Sequence, residues 1–149
     1  MGNFMFRKLT DTFFAAPQIS VDDVIAAQQQ GVTMIINNRP DGEEPDAPQS
    51  AEIEAAAKAA GIAYAAIAVT HAGYSHPQID AMIGALEHAG SGKVLAYCRS
   101  GTRSTMLWAL SQAKSGMHPA EIAARAESAG YDVTPIAAML DMLCGQRHQ

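Results

Sequence analysis

The chain is poor in cysteine, with two among 149 residues. That number excludes a disulfide framework, makes a reducing, cytoplasmic location the expectation, and leaves each cysteine to be judged as a thiol. Charge is also scarce: 17% of residues are charged, and the formal net charge is -5. With no basic excess there is no face for a phosphate backbone, so no nucleic-acid partner is expected. No apolar run approaches the ~18–20 residues of a membrane span, so no membrane association is expected either. The longer runs, such as Ile62 to Val69, are strand-sized. Met1 to Pro17 carries Phe4, Met5, Phe6, Phe13 and Phe14, but Arg7, Lys8 and Asp11 interrupt them, so no secretory leader is expected. Phe6 stands where a myristoylation motif wants Ser or Thr. Repeats and low-complexity linkers are absent too. What is present is a globular composition, 48% apolar, sufficient for one core, expected to span 9–145.

Short apolar runs alternate with amphipathic stretches. Thr12 to Ala16 reads as an edge strand, and Thr33 to Ile36, Ile62 to Val69 and Lys93 to Tyr97 as further strands. Ser20 with Asp23 forms a capping box that opens a helix ended by Gly31. Ser50 is expected to cap an alanine-rich helix over Ala51 to Ala60. Further helices are expected over Pro77 to Ala89, Ser104 to Gln112 and Pro119 to Ala129. The last, over Pro135 to Leu143, would have Thr134 as its cap. Strands separated by helices imply right-handed crossovers. The expected fold is therefore α/β, a central, mostly parallel sheet of about four to five strands flanked by helices. In such sheets the ligand site lies at the carboxyl ends of the strands. That rule selects three loops: 37–49, 70–77 and 98–103.

The third of these loops carries the chemistry. Tyr97-Cys98-Arg99-Ser100-Gly101-Thr102-Arg103-Ser104 joins a buried strand to a helix. A loop entering a helix N-terminus can turn its amides inward as an anion cradle, and the helix dipole adds positive charge. Gly101 permits the sharp curl. Arg99 and Arg103 supply permanent cations with forked donors for oxyanions. A cysteine placed there has its thiolate favoured. Cys98 as a mere buried hydrophobe would not explain two arginines and a glycine at this spacing. Cys98 and Arg103 are the candidate catalytic residues. Arg99, Ser100, Gly101, Thr102, Ser104, Arg39 and His71 are the candidate substrate-binding residues. Arg39 lies beyond an inner strand and would touch substrate or buttress the cysteine loop, and Ser104 would fill the first helical turn or bond the thiolate.

Cys98-Arg99-x-Gly101-x-Arg103 resembles the active loop of rhodanese sulfurtransferases, C-R-x-G-x followed by R or T. It also resembles the signature of cysteine-dependent phosphatases, H-C-x-x-G-x-x-R followed by Ser or Thr. Over roughly Leu9 to Leu143 the chain is similar to a bacterial family named for its fusion to β-lactamase-like hydrolases, the "beta-lactamase hydrolase-like protein, phosphatase-like domain". Gln18-Ile19, Ile35-Ile36-Asn37-Asn38-Arg39-Pro40-Asp41-Gly42-Glu43 and Cys98 to Ser104 carry that likeness. It implies a dual-specificity-phosphatase-like fold, in a family whose members have been assigned both phosphatase and sulfurtransferase roles.

Three departures from the phosphatase pattern favour sulfur transfer at this level. The loop is one residue shorter, Tyr97 replaces the usual histidine, and the 70–77 loop contains no Asp to serve as general acid. A phosphate ester expels an alkoxide or phenoxide that needs a proton, whereas sulfane transfer releases a stable anion. The expectation is a rhodanese-type sulfurtransferase. It would take sulfur from a small anionic donor, thiosulfate or a persulfide, to a thiol or cyanide through a Cys98 persulfide. A persulfide-processing β-lactamase-like hydrolase would act in trans as partner. The alternatives are a cysteine-dependent phosphatase working through a Cys98 phosphoenzyme and a non-catalytic persulfide carrier.

The remaining features read plainly. No cofactor is called for, and His71, His76 and Cys98 lack a metal-ligand spacing. His71 is a candidate acid in the phosphatase alternative. Asp41, Glu43, Glu44 and Asp46 read as a solvated loop. Cys144 reads as a passive thiol rather than a resolving one. Gly90-Ser91-Gly92-Lys93 only mimics a P-loop, since Glu87 stands where a glycine is needed and a strand follows.

Overall fold

A computed structural model describes residues 6–43, 49–70 and 73–147. Five strands form one sheet: β1 (Arg7–Thr10), β2 (Phe13–Ala16), β3 (Val32–Asn37), β4 (Ala63–Ala66) and β5 (Lys93–Tyr97). Their order is β1-β2-β5-β3-β4, with β1 antiparallel to β2 and every other pair parallel. The helices are α1 (Val21–Gln29), α2 (Ser50–Ala59), α3 (His76–Ala89), α4 (Thr102–Lys114), α5 (Pro119–Ser128) and α6 (Ala137–Arg147).

The strands alternate between two cores, as a period of two demands, apart from a register irregularity between Val32 and Met34 in β3. Phe13, Ala15, Met34, Ile36, Val94 and Ala96 face a core shared with α3, α4, α5 and α6. Ala16, Val32, Ile35, Leu95 and Tyr97 face a smaller core shared with α1 and α2. Helix α4 runs through the larger core and is buried on nearly every face from Ser104 to Ser111. Trp108 stacks on Phe13 with ring centroids 6.0 Å apart.

Several boundaries differ from the sequence reading, each for a local reason. Strand β1 was not expected, because Arg7 and Lys8 are exposed and only Leu9 is buried; an edge strand needs no more apolar content than that. It displaces β2 from the edge. Strand β4 is shorter than Ile62 to Val69. Beyond Ala66 the chain leaves β4, and Ile67 and Val69 donate to the carbonyls of Asn37 and Asn38. Gln49, not Ser50, occupies the N-cap position of α2, without a side-chain capping bond, and the Ser50 hydroxyl pairs with that of Tyr64. The segment Thr134–Ile136 is a 3-10 turn leading into α6, and the Asp132 carboxylate accepts from the Thr134 amide, so Thr134 is not a cap. The Ser20–Asp23 capping box on α1 is present in both directions.

The carboxyl ends of β2, β3 and β5 are stitched together. The Cys98 amide donates to the Ala16 carbonyl, the Asn38 amide to Tyr97, and the Gln18 amide to Arg99. This fixes the 98–101 loop relative to the sheet before any side chain is considered.

Candidate active site

Cys98 is the first residue beyond β5 and is fully buried. Two residues of turn bring the chain to Gly101, the N-cap of α4, whose φ of +90° lies in the left-handed region. Only glycine adopts that conformation freely. The resulting curl points the Gly101 N–H at the cysteine sulfur, 3.1 Å from Sγ. The sulfur therefore sits at the positive end of α4, held by an amide that cannot move without the helix. Tyr131, from the segment after α5, lies over this curl. Its hydroxyl donates to the Ser100 carbonyl at 3.2 Å, and its ring is stacked beneath the Arg7 guanidinium.

Arg103, in the first turn of α4, faces the same sulfur. Its outer edge is held in a fork by Glu43, with Nη1 2.8 Å from Oε2 and Nη2 2.9 Å from Oε1; Nη1 also donates to the Val69 carbonyl. The Glu43 carboxylate in turn accepts from Arg39 Nε at 2.8 Å, and Arg39 Nη1 donates to Gln18 Oε1. Arg103 above all, with Arg39, holds the Glu43 carboxyl down to about 2. The reverse effect raises Arg103, which also gains from facing Cys98. Above the loop opens a cleft of about 510 Å³ lined by Glu43, Val69, Thr70, Tyr74, Arg99 and Arg103.

The structure gathers part of the expected residue set. Arg99 and Arg103 line one cleft, and the buried Cys98 meets the Gly101 amide and faces Arg103 beneath it. Arg39 is buried and acts as a buttress through Glu43 rather than as a cleft residue. Ser100 and Thr102 are exposed and bond one another through their hydroxyls at 3.0 Å. The Ser104 hydroxyl is fully buried with no hydrogen-bond partner among the described residues, so it does not bond the sulfur. Tyr97, in the histidine position, points into the α1–α2 core, where burial pushes its phenol well above the usual range. Cys144 is buried in the larger core. His71, Glu44 and Asp46 lie outside the described residues. Among the described residues no cluster of His, Cys, Asp or Glu side chains is placed to hold a metal ion.

Tyr131 was not singled out by the sequence reading; Glu43, read as part of a solvated loop, is exposed but pairs with both Arg39 and Arg103. Its only local clue is the i,i+4 spacing from Arg39. Glu43→Gln is expected to lower stability at neutral pH by roughly 1–3 kcal/mol, since it leaves two guanidinium groups without their shared carboxylate. The folded carboxyl lies below its ordinary value of 4.5, so its stabilising contribution is complete above that value. It fades as pH falls towards about 2. Denaturant melts of both proteins across that range check this: the gap between them should close on acidification, and a pH-independent gap would exclude the ionic origin.

A family profile described as beta-lactamase hydrolase-like protein, phosphatase-like domain, matches residues 5–115. The chain belongs to that family. The beta-lactamase hydrolase-like protein of Xylella fastidiosa is 38% identical over 117 residues, which are 78% of this chain and 27% of that protein. Its counterpart in Agrobacterium fabrum is 35% identical over 109 residues, 73% of this chain and 25% of that protein. The phosphatase-like domain thus spans about a quarter of the length of these relatives. Among solved structures, a candidate phosphatase from Neisseria meningitidis is 32% identical with a TM-score of 0.79, covering 93% of this chain and 98% of that one. Human DUSP28, at 17% identity and a TM-score of 0.71, covers 97% and 96% and shows the shared fold.

These matches correct the rhodanese-type expectation. The family and its structural neighbours are phosphatase-like, and none of those named is a sulfurtransferase. The shorter loop was read as too tight for a phosphoryl group, yet it still presents the Gly101 amide and Arg103 to the sulfur below an open cleft. The missing Asp was read as a missing proton donor. The same loop carries a phenol, Tyr74, which lines the cleft.

Proposed function

We propose that the chain is a cysteine-dependent phosphatase that hydrolyses phosphate monoesters through a Cys98 phosphoenzyme. The observation that carries the reading is the placement of Cys98 Sγ under the Gly101 amide and facing Arg103, which itself lines the cleft. The thiolate attacks phosphorus in line, and the P–O bond to the leaving group breaks on the cleft side. Loop amides and the arginines neutralise the equatorial oxygens as charge spreads over them. Arg103 is already oriented by Glu43 and the Val69 carbonyl, so little reorganisation accompanies the transition state. Water then attacks the phosphocysteine and releases inorganic phosphate.

The test is hydrolysis of 4-nitrophenyl phosphate by the purified chain, with an acid quench during turnover. The expected result is phosphate release together with a phosphoryl-sized mass gain on the peptide containing Cys98. Turnover without such an adduct, or no turnover of any monoester, would overturn the reading.

A further inference from the structure

An in-line displacement at the Cys98 phosphorus expels the leaving oxygen into the cleft, where it needs a proton unless it is a very stable anion. Among the described residues that line the cleft, few can supply one. Glu43 is held ionised, down to about 2, by its arginines, so it has no proton to give at neutral pH. Arg99 and Arg103 do not release protons in proteins. Val69 has none to offer, and an aliphatic hydroxyl such as that of Thr70 is far too weak an acid.

Tyr74 remains. Its backbone is pinned from both sides. On one side the Gly73 amide donates to the Thr70 carbonyl at 3.1 Å; on the other Ser75 caps α3 with a two-way capping box. Its half-buried ring packs against the larger core while the residue lines the cleft beside Arg103. Desolvation and the nearby Cys98 sulfur push the phenol up to about 12, so it keeps its proton at neutral pH.

We propose that Tyr74 is the general acid of this site, and that the site is therefore built for phosphomonoesters with alkyl or other poor leaving groups. The inference rests on the hydrolase reading above. The Cys98 thiolate forms the S–P bond as the P–O bond breaks, and the leaving oxygen takes the Tyr74 proton to depart as a neutral alcohol. In the second step the attacking water gives one proton to the Tyr74 phenolate, and its oxygen joins phosphorus as the S–P bond breaks. Products are hydrogen phosphate, the Cys98 thiolate and neutral Tyr74, so charge and protons balance. A weak phenolic acid assists most when the departing oxygen is more basic than itself, as an alkoxide is, and least with nitrophenolate.

The experiment measures kcat/KM, which reports the bond-breaking step, for a series from 4-nitrophenyl through phenyl to alkyl phosphates. Wild type, Tyr74→Phe and His71→Gln are compared, and the Kd for orthovanadate and the Tm report that the loop remains assembled. For Tyr74→Phe the loss is expected to be smallest with the nitrophenyl ester and to grow to roughly 10²-fold with alkyl esters, with vanadate affinity retained. An equal loss across the series would make Tyr74 a binding or packing residue and overturn the proposal. So would a leaving-group-dependent loss in His71→Gln with none in Tyr74→Phe. If wild type cleaves no ester at all, the hydrolase reading itself falls and takes this assignment with it. If wild type cleaves the series and Tyr74→Phe follows it unchanged, only the assignment of Tyr74 fails.

Discussion

Serine in place of Cys98 is expected to reduce phosphomonoester turnover by roughly 10⁴-fold or more, and to abolish the phosphoenzyme. The substitution changes one atom in a fully buried side chain, so the fold has little reason to respond. The Gly101 amide, 3.1 Å from sulfur, can donate to a hydroxyl oxygen as well. What changes is nucleophilicity. A serine hydroxyl is scarcely ionised near neutrality, and no described side chain is placed as a base to activate it, whereas sulfur is intrinsically the stronger nucleophile. Phosphate release and intact mass during turnover, together with thermal melts, are the measurements. A serine variant with substantial turnover would reject Cys98 as the nucleophile. A variant with a collapsed Tm would assign it a structural role instead.

The second large effect is expected at Gly101, where alanine meets two separate penalties. The φ of +90° is disfavoured for any residue with a side chain, at roughly 1–2 kcal/mol. The added Cβ would also stand 2.0 Å from the Tyr131 hydroxyl and 2.9 Å from its Cζ, so the ring must move. Moving it breaks the bond to the Ser100 carbonyl and withdraws the cover from the curl. Gly101→Ala is expected to cost about 2–4 kcal/mol in all and to lower kcat by roughly 10²-fold, because the amide that meets the sulfur is displaced. Adding Tyr131→Ala relieves the collision but not the backbone conformation. The double variant should therefore regain part of the lost Tm and little of the lost activity. A Gly101→Ala protein with wild-type Tm and kcat would show that the loop does not depend on this curl.

How much of this was legible beforehand follows from the distance over which each feature is decided. The capping box at Ser20 and the limits of β5 are settled within a few neighbouring residues, and the sequence pattern located them; the helix beyond Cys98 was expected from Ser104 and starts at Thr102. The α/β class followed from the alternation of such segments, because right-handed crossovers leave few other arrangements. The active loop was legible for the same reason: cysteine, glycine and arginine act on one another within a single turn. Strand β1 was less so, since an edge strand carries only a faint apolar signal.

By itself, then, the sequence determined the alternation of strands and helices from β2 onward and the position of the cysteine loop. Tertiary structure alone decided that Glu43, 60 residues away along the chain, grips Arg103, and that Tyr131, 31 residues from Ser100, closes over Gly101. It also brought Tyr74 into the same cleft. No local composition encodes such meetings. They arise because parallel strands deliver the loops of separate chain segments to one end of the sheet, where side chains far apart in order become neighbours in space.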